Sequence, residues 1–327
     1  MSTIDLAAVR SASDELFDRD PETGHSLALL VMQGGNVVFE RYGTQPDTAF
    51  GPGGAVTPDS TLISWSMAKS ITHAAVGILV GDGVLDLVAP AAVPSWAGTP
   101  KAAITLQQLL EMRSGLRFVE DYVDGSVSHV IEMLFGEGNE DVAGYAAALP
   151  LEHEPGAVWS YSSGTTNIIA RIVGDAVGNG RDGMEAFLHD RLFKPAGMHS
   201  AIPKFDNAGT FIGSSFVYAT AIDFARFGEL YRNDGVAADG TRVLPAGWRD
   251  HGRAWASYDD EFDFHYGAQW WGWPEYPSSM ACHGYEGQFT LVVPDRELVV
   301  VHLGKWPEAV RAPLRPLLRR IVDASTP

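Results

Sequence analysis

Cysteine occurs once in the 327 residues, at Cys282, so no intramolecular disulfide can form and a reducing compartment is expected. Basic residues are also scarce: 23 Lys and Arg stand against 41 Asp and Glu, a formal charge of −18. Nucleic acid and anionic membrane both reward basic surfaces, so neither is expected as a partner. No apolar run approaches membrane-spanning length, and residues 1–20 carry acid where a secretion signal needs base and then an apolar stretch. The location expected is therefore cytoplasmic. The ten histidines include no His-x-His or His-Glu-x-x-His spacing, so no metal site is expected, and no organic cofactor is called for. A Gly-x-Ser-x-Gly elbow is missing too, which removes the usual α/β-hydrolase route to a reactive serine.

What is present reads as strands near both ends with helices between them. Residues 3–18 suggest an amphipathic helix, and the apolar runs 27–31 and 37–41 flank Gln33-Gly34-Gly35-Asn36, a hairpin signal. From Ile104 to about Asn233 the spacing is helical: Thr105 caps residues 106–112, Ser163 to Val177 is a long periodic segment, and Ala221 to Arg232 is another. Residues 266–271, 288–293 and 298–303 read as strands, the last two forming a second hairpin, and a closing helix runs from Pro307 to about Asp323. The fold class expected is α/β (α+β), one antiparallel sheet assembled from the two termini with a large helical insertion. Residues 1–65 and 240–327 would form the sheet domain and 66–239 the mainly helical region, with a cleft between them. Gly178-Asn179-Gly180-Arg181-Asp182-Gly183 matches a dinucleotide fingerprint literally, but it follows a helix instead of a strand and is expected to be a helix-ending loop.

The chemistry concentrates around Ser66-Met67-Ala68-Lys69. Ser66 is expected in the first turn of a buried helix with Lys69 on the same face, where a neutral lysine can take the serine proton. Free N–H groups at that helix start point at any oxyanion beside Ser66. Tyr161 should project from the loop ahead of Ser163 and pass a proton to the leaving group, provided a cationic neighbour favours its ionised form. Gly284 lets backbone approach closely, so the Tyr285 N–H is the candidate second oxyanion donor. Cys282 and His283 are adjacent in a strand and face opposite ways, which makes them a poor catalytic pair.

Together these pieces resemble the serine β-lactamase-like superfamily, in the branch of class C β-lactamases, family VIII esterases and 6-aminohexanoate-dimer hydrolases. Ser66-Met67-Ala68-Lys69 matches its Ser-x-x-Lys, residues 104–116 are similar to its ITL…SGL segment, and Tyr161-Ser162-Ser163 stands where class C enzymes carry Tyr-x-Asn. The resemblance implies a β-lactamase/transpeptidase-like fold and a serine hydrolase that cleaves an amide or ester through an acyl-serine. A carboxylesterase, β-lactamase or D-amino peptidase is the alternative within the fold, and a non-catalytic ligand-binding or scaffold protein the alternative outside it. Residue 163 is serine instead of asparagine, and no Lys-Thr-Gly stands at Gly284-Tyr285. Glu120-Asp121-Tyr122, residues 266–271 and Gly284-x-x-Gly287-Gln288 look like the dimer hydrolases. That likeness implies Tyr122, Ser163, Trp271, His283 and Gly284 as substrate-binding residues, with Trp270 and Trp271 lining the cleft. The partner expected is a small-molecule amide or ester, and a homodimer is the candidate assembly.

Overall fold

The computed structural model describes residues 3–48, 52–121 and 127–326. Eight strands form one antiparallel sheet: β1 (His25–Gln33), β2 (Asn36–Tyr42), β3 (Ser257–Asp259), β4 (Phe264–Tyr266), β5 (Trp271–Gly272), β6 (Met280–Gly284), β7 (Gln288–Val293) and β8 (Leu298–Lys305). Their order is β2-β1-β8-β7-β6-β5-β4-β3, so strands from the two ends of the chain lie side by side, with Leu30 opposite Val301. The first hairpin turns on Gly34 and Gly35, whose φ angles of 56° and 79° are readily accessible to glycine.

The sheet is buried on both faces. Leu29 and Val31 of β1, with Leu298 and Val300 of β8, pack under α1 (Leu6–Phe17) and α6 (Leu314–Asp323), through Val9, Leu16, Leu317 and Ile321. The alternate residues Leu30, Met32, Val299 and Val301 face α2 (Ala68–Gly81) and α5 (Ala221–Arg232). Each buried Leu or Val contributes about 1.5–3 kcal/mol, whereas an exposed ion pair such as Arg320–Glu15, at 2.7 Å, contributes at most about 1 kcal/mol. Apolar burial on two faces therefore holds the layers together. On the α2 side lies the helical region, including α3 (Leu106–Leu110), closed at its start by a Thr105–Gln108 capping box, and α4 (Ser163–Val177), capped by Ser162.

Three local expectations change. Residues 266–271 are not one strand: the Gly267 N–H reaches the Trp270 carbonyl at 2.9 Å and Gln269 adopts φ 60°, making a tight turn between β4 and β5. The closing helix begins at Leu314, after a separate short turn over Glu308–Val310. The glycine-rich stretch at 178–183 is a joint between two helices, since Gly178 ends α4 and a helix over Gly180–Phe187 starts at once.

His302 of β8 is buried in this core. Its Nδ1–H donates to the Gly287 carbonyl at 2.7 Å, which leaves Nε2 to accept from the Ser26 hydroxyl at 2.8 Å. Burial lowers its pKa to about 4, and the His251 pKa also falls to about 4 by burial. Because the folded values lie below the unfolded one of about 6.5, this stability is complete above pH ~6.5 and is lost as pH falls toward 4. The urea midpoint should therefore decline between pH 6.5 and 4, and His302→Gln should flatten that decline while lowering stability at pH 7. An unchanged pH dependence in the variant would assign the acid loss to other groups.

Candidate active site

The segment that presents Ser66 is fixed from both sides. Leu62–Ile63 pairs antiparallel with Val217–Ala219, and Ser64 continues the pairing. Its N–H donates to the Val217 carbonyl at 2.8 Å and its hydroxyl oxygen accepts from the Val217 N–H at 3.1 Å. Trp65 then adopts φ 42°, a left-handed conformation that costs a non-glycine residue roughly 1–2 kcal/mol. Its indole packs 5.8 Å from both the Phe216 and Tyr285 rings, and its Nε1–H donates to Glu286 at 3.2 Å, which offsets the strain. Ser66 consequently sits in a tight turn over Trp65–Met67, not in the first α-helical turn, and α2 starts at Ala68.

Lys69, in the first turn of α2, is 2% exposed. Its Nζ lies 2.9 Å from Ser66 Oγ, 2.9 Å from Ser163 Oγ and 3.0 Å from the Ser214 carbonyl oxygen. Burial lowers its pKa to about 8, against the opposing pull of the Glu120 charge. About a tenth of the molecules therefore carry a neutral amine at pH 7. The Tyr161 ring lies 4.8 Å from Nζ, and its hydroxyl is a hydrogen-bond neighbour of Ser66. Burial and the Glu120 charge push that phenol up, which favours the neutral O–H over the phenolate.

The other expected residues divide. Ser163 is fully buried between Lys69 and Glu120, its hydroxyl oxygen accepting from the Lys69 amine and its proton going to the Glu120 carboxylate. A Cβ at Gly284 would lie 2.4 Å from the Ser64 carbonyl oxygen, so the glycine lets β6 touch the segment ahead of Ser66 and delivers Tyr285 beside it. Trp271 is tilted on Tyr161 at 5.4 Å and forms an aromatic wall with Trp159. His283 stacks behind Trp271 at 5.2 Å and accepts from the Trp273 Nε1–H at 2.9 Å, one ring removed from Tyr161. Trp270 does not line the cleft: it is fully buried against Tyr231 and Phe227. Tyr122 lies outside the described residues. Cys282 is buried, and its thiol is pushed up to about 12, an unreactive state.

Sequence reasoning missed three contributors. Glu120 accepts from the Ser163 hydroxyl at 2.5 Å and from the Ser163 N–H at 2.7 Å; the likeness of Glu120-Asp121-Tyr122 to the dimer hydrolases marks the segment but gives Glu120 no role. The Ser214 carbonyl has none, because backbone carries no residue type. Tyr266 meets Tyr161 edge to face at 5.9 Å, a contact that appears only once the turn at 267–270 is known.

With this geometry in hand, the family described as Beta-lactamase matches residues 14–323. The chain is 26% identical over 299 residues to 6-aminohexanoate-dimer hydrolase of Paenarthrobacter ureafaciens, covering 86% of this chain and 73% of that protein. A family VIII carboxylesterase superposes with a TM-score of 0.72 at 15% identity, over 97% of this chain and 96% of its own. A class C beta-lactamase from Rhodobacter sphaeroides gives 0.67 at 15%, over 97% and 98%. At those identities the two structures are similar to this chain in fold.

The reactivity of the Ser66–Lys69 pair is open to direct measurement. A fluorophosphonate should label Ser66 at a rate that rises with pH and levels off above about 8, because the neutral amine is the active form. Lys69→Ala should slow labelling on the order of 10²-fold or more. An adduct at another residue, or a rate indifferent to pH between 6 and 9, would exclude Ser66 as the activated nucleophile.

Proposed function

Because the chain belongs to the beta-lactamase family, we propose that it is a serine hydrolase that cleaves a small amide or ester through an acyl-Ser66 intermediate. One observation carries this reading: Ser66 Oγ lies 2.9 Å from the amine of a lysine that burial holds near pKa 8. In the proposed reaction neutral Lys69 takes the Ser66 proton as Oγ bonds to the substrate carbonyl carbon, and the carbonyl oxygen becomes an oxyanion. The N–H groups of Ser66 and Tyr285 are proposed to receive that charge, supported by the close passage of β6 at Gly284. On collapse the leaving amine or alkoxide takes the Tyr161 hydroxyl proton, and Tyr161 is reprotonated by the Lys69 ammonium. Water, deprotonated by Lys69 in turn, attacks the acyl-serine carbonyl carbon; as the Oγ–C bond breaks, Ser66 Oγ takes the proton back from the Lys69 ammonium and the acid is released. A neutral tyrosine suits this shuttle, since it must hold a proton to give one.

For the substrate, the dimer-hydrolase relative points to linear amides and the carboxylesterase fold to esters. With Ser163 in the proton network and no Lys-Thr-Gly at residues 284–286, the site offers neither the usual amide partner nor the usual cation for an antibiotic carboxylate. The wall of Tyr161, Trp159 and Trp271 favours short, weakly polar acyl groups. No helix among the described residues is long and apolar enough to cross a membrane. A cytoplasmic setting completes the proposal, supported by the single buried thiol at Cys282.

Ser66→Ala should stay folded with hydrolysis near background, and Tyr161→Phe should lower kcat on the order of 10²-fold while changing KM little. Wild-type protein should turn over p-nitrophenyl butyrate with a higher kcat/KM than nitrocefin or benzylpenicillin under the same conditions. The reverse ranking would make the chain a β-lactamase, and an active Ser66→Ala would remove the acyl-serine route altogether.

A further inference from the structure

Three polar neighbours surround Lys69 Nζ: Ser66 Oγ, Ser163 Oγ and the Ser214 carbonyl oxygen. A neutral amine has two N–H donors and one lone pair, so one neighbour alone can be the group that gives it a proton. The Ser214 carbonyl can only accept. A serine hydroxyl can do either, and Ser163 is as close to Nζ, at 2.9 Å, as Ser66 is. Left to itself, the Ser163 O–H would compete with the Ser66 O–H for the lone pair. Glu120 removes that ambiguity: its Oε1 lies 2.5 Å from Ser163 Oγ, and its Oε2 is anchored at 2.7 Å on the Ser163 N–H at the start of α4. An ionised carboxylate accepts only, so the Ser163 proton goes to Glu120 and the Ser163 oxygen turns its lone pair toward Lys69. Both amine N–H groups are then committed, to Ser163 and to Ser214.

We propose that Glu120 is a positioning residue which, by holding the Ser163 hydroxyl proton, aims the Lys69 lone pair at Ser66; this rests on the Ser66–Lys69 reading above. Two further consequences follow. Among the described residues the titratable groups facing Lys69 are Glu120 and Tyr161, and since the Glu120 charge favours the ammonium, Glu120→Gln should move the acid limb of kcat/KM to lower pH while the plateau falls. A carboxamide at 163 would have its acceptor and donor ends fixed by its own chemistry, and so would not need the carboxylate.

The test is a cycle of Glu120→Gln, Ser163→Ala, their double variant, Ser163→Asn and Ser163→Asn with Glu120→Gln. Each is assayed for kcat and kcat/KM on p-nitrophenyl butyrate across pH and for Tm, with Ser66→Ala as control. Glu120→Gln and Ser163→Ala should each lower plateau kcat about tenfold or more. The double variant should be no slower than the slower single. Ser163→Asn should be faster than Ser163→Ala, and in the Ser163→Asn background Glu120→Gln should cost less kcat than it does in wild type, even where Tm stays lowered by the weakened cap on α4, which separates aiming the base from holding the helix. Multiplying losses in the double variant, an unmoved acid limb in Glu120→Gln, or no rescue by Ser163→Asn would each overturn the proposal. If Glu120→Gln does not fold, Ser163→Ala against Ser163→Asn decides: slow and fast support the proposal, equal rates sink it. An active Ser66→Ala fails the nucleophile reading and this proposal together, whereas an inactive one with multiplying losses fails this proposal alone.

Discussion

Burial of the Lys69 amine is the constraint on which the rest of this structure depends. A lysine 2% exposed cannot keep its usual pKa, because removing an ammonium from water costs several kcal/mol unless protein groups replace the hydration. Here the replacement is partial. Two serine oxygens and a carbonyl surround Nζ, and the Glu120 charge stands one hydroxyl away, so the amine settles at about 8. Nearer charge would favour the ammonium further, and loss of the charge would let burial lower the amine further.

That compromise sets demands on the fold. Residues 68–79 of α2 are all buried, so the lysine's helix cannot tilt toward solvent to relieve it. The elements packed on α2 come from distant parts of the chain: α4 from the middle and β6 from the C-terminal part, whose sheet also holds β1 from the N-terminal end. Joining both termini in one sheet explains how β6 reaches the Ser66 turn, where the absence of a side chain at Gly284 allows contact with Ser64. The left-handed Trp65 is the local cost of turning a serine outward immediately ahead of a buried helix, and Phe216, Tyr285 and Glu286 contribute packing and a hydrogen bond against it.

How much of this was legible in the amino-acid sequence depended on the range of each interaction. Ser66 and Lys69 are three residues apart, so helical spacing alone predicts that they meet. The helix from Ser163 to Val177 and the second hairpin follow from periodicity and turn residues, and both hold. Trp270 and Trp271 show the limit. They are adjacent and alike, yet the φ of 60° at Gln269 turns the chain so that one ring enters the core and the other faces Tyr161. Glu120 and Ser163 are 43 residues apart and meet only because α4 starts where the Glu120 loop passes. From the sequence, the Tyr161 shuttle depends on a cation favouring the phenolate, whereas burial and the Glu120 charge push the phenol up.

The two departures from the lactamase pattern then have different physical meanings. At 163 the change from carboxamide to hydroxyl alters the direction of a hydrogen bond to the base, and it is tolerable where a carboxylate supplies the lost polarity. At 284–286 the change lies at the end of β6, where Gly284 serves backbone contact with Ser64 and Glu286 takes Trp65 and Lys305, the latter at 3.4 Å. The polar and charged groups around Lys69 Nζ are contributed by the Ser66 turn, α4, the Ser214 carbonyl and the Glu120 loop, so a change at 284–286 leaves the immediate surroundings of that amine in place.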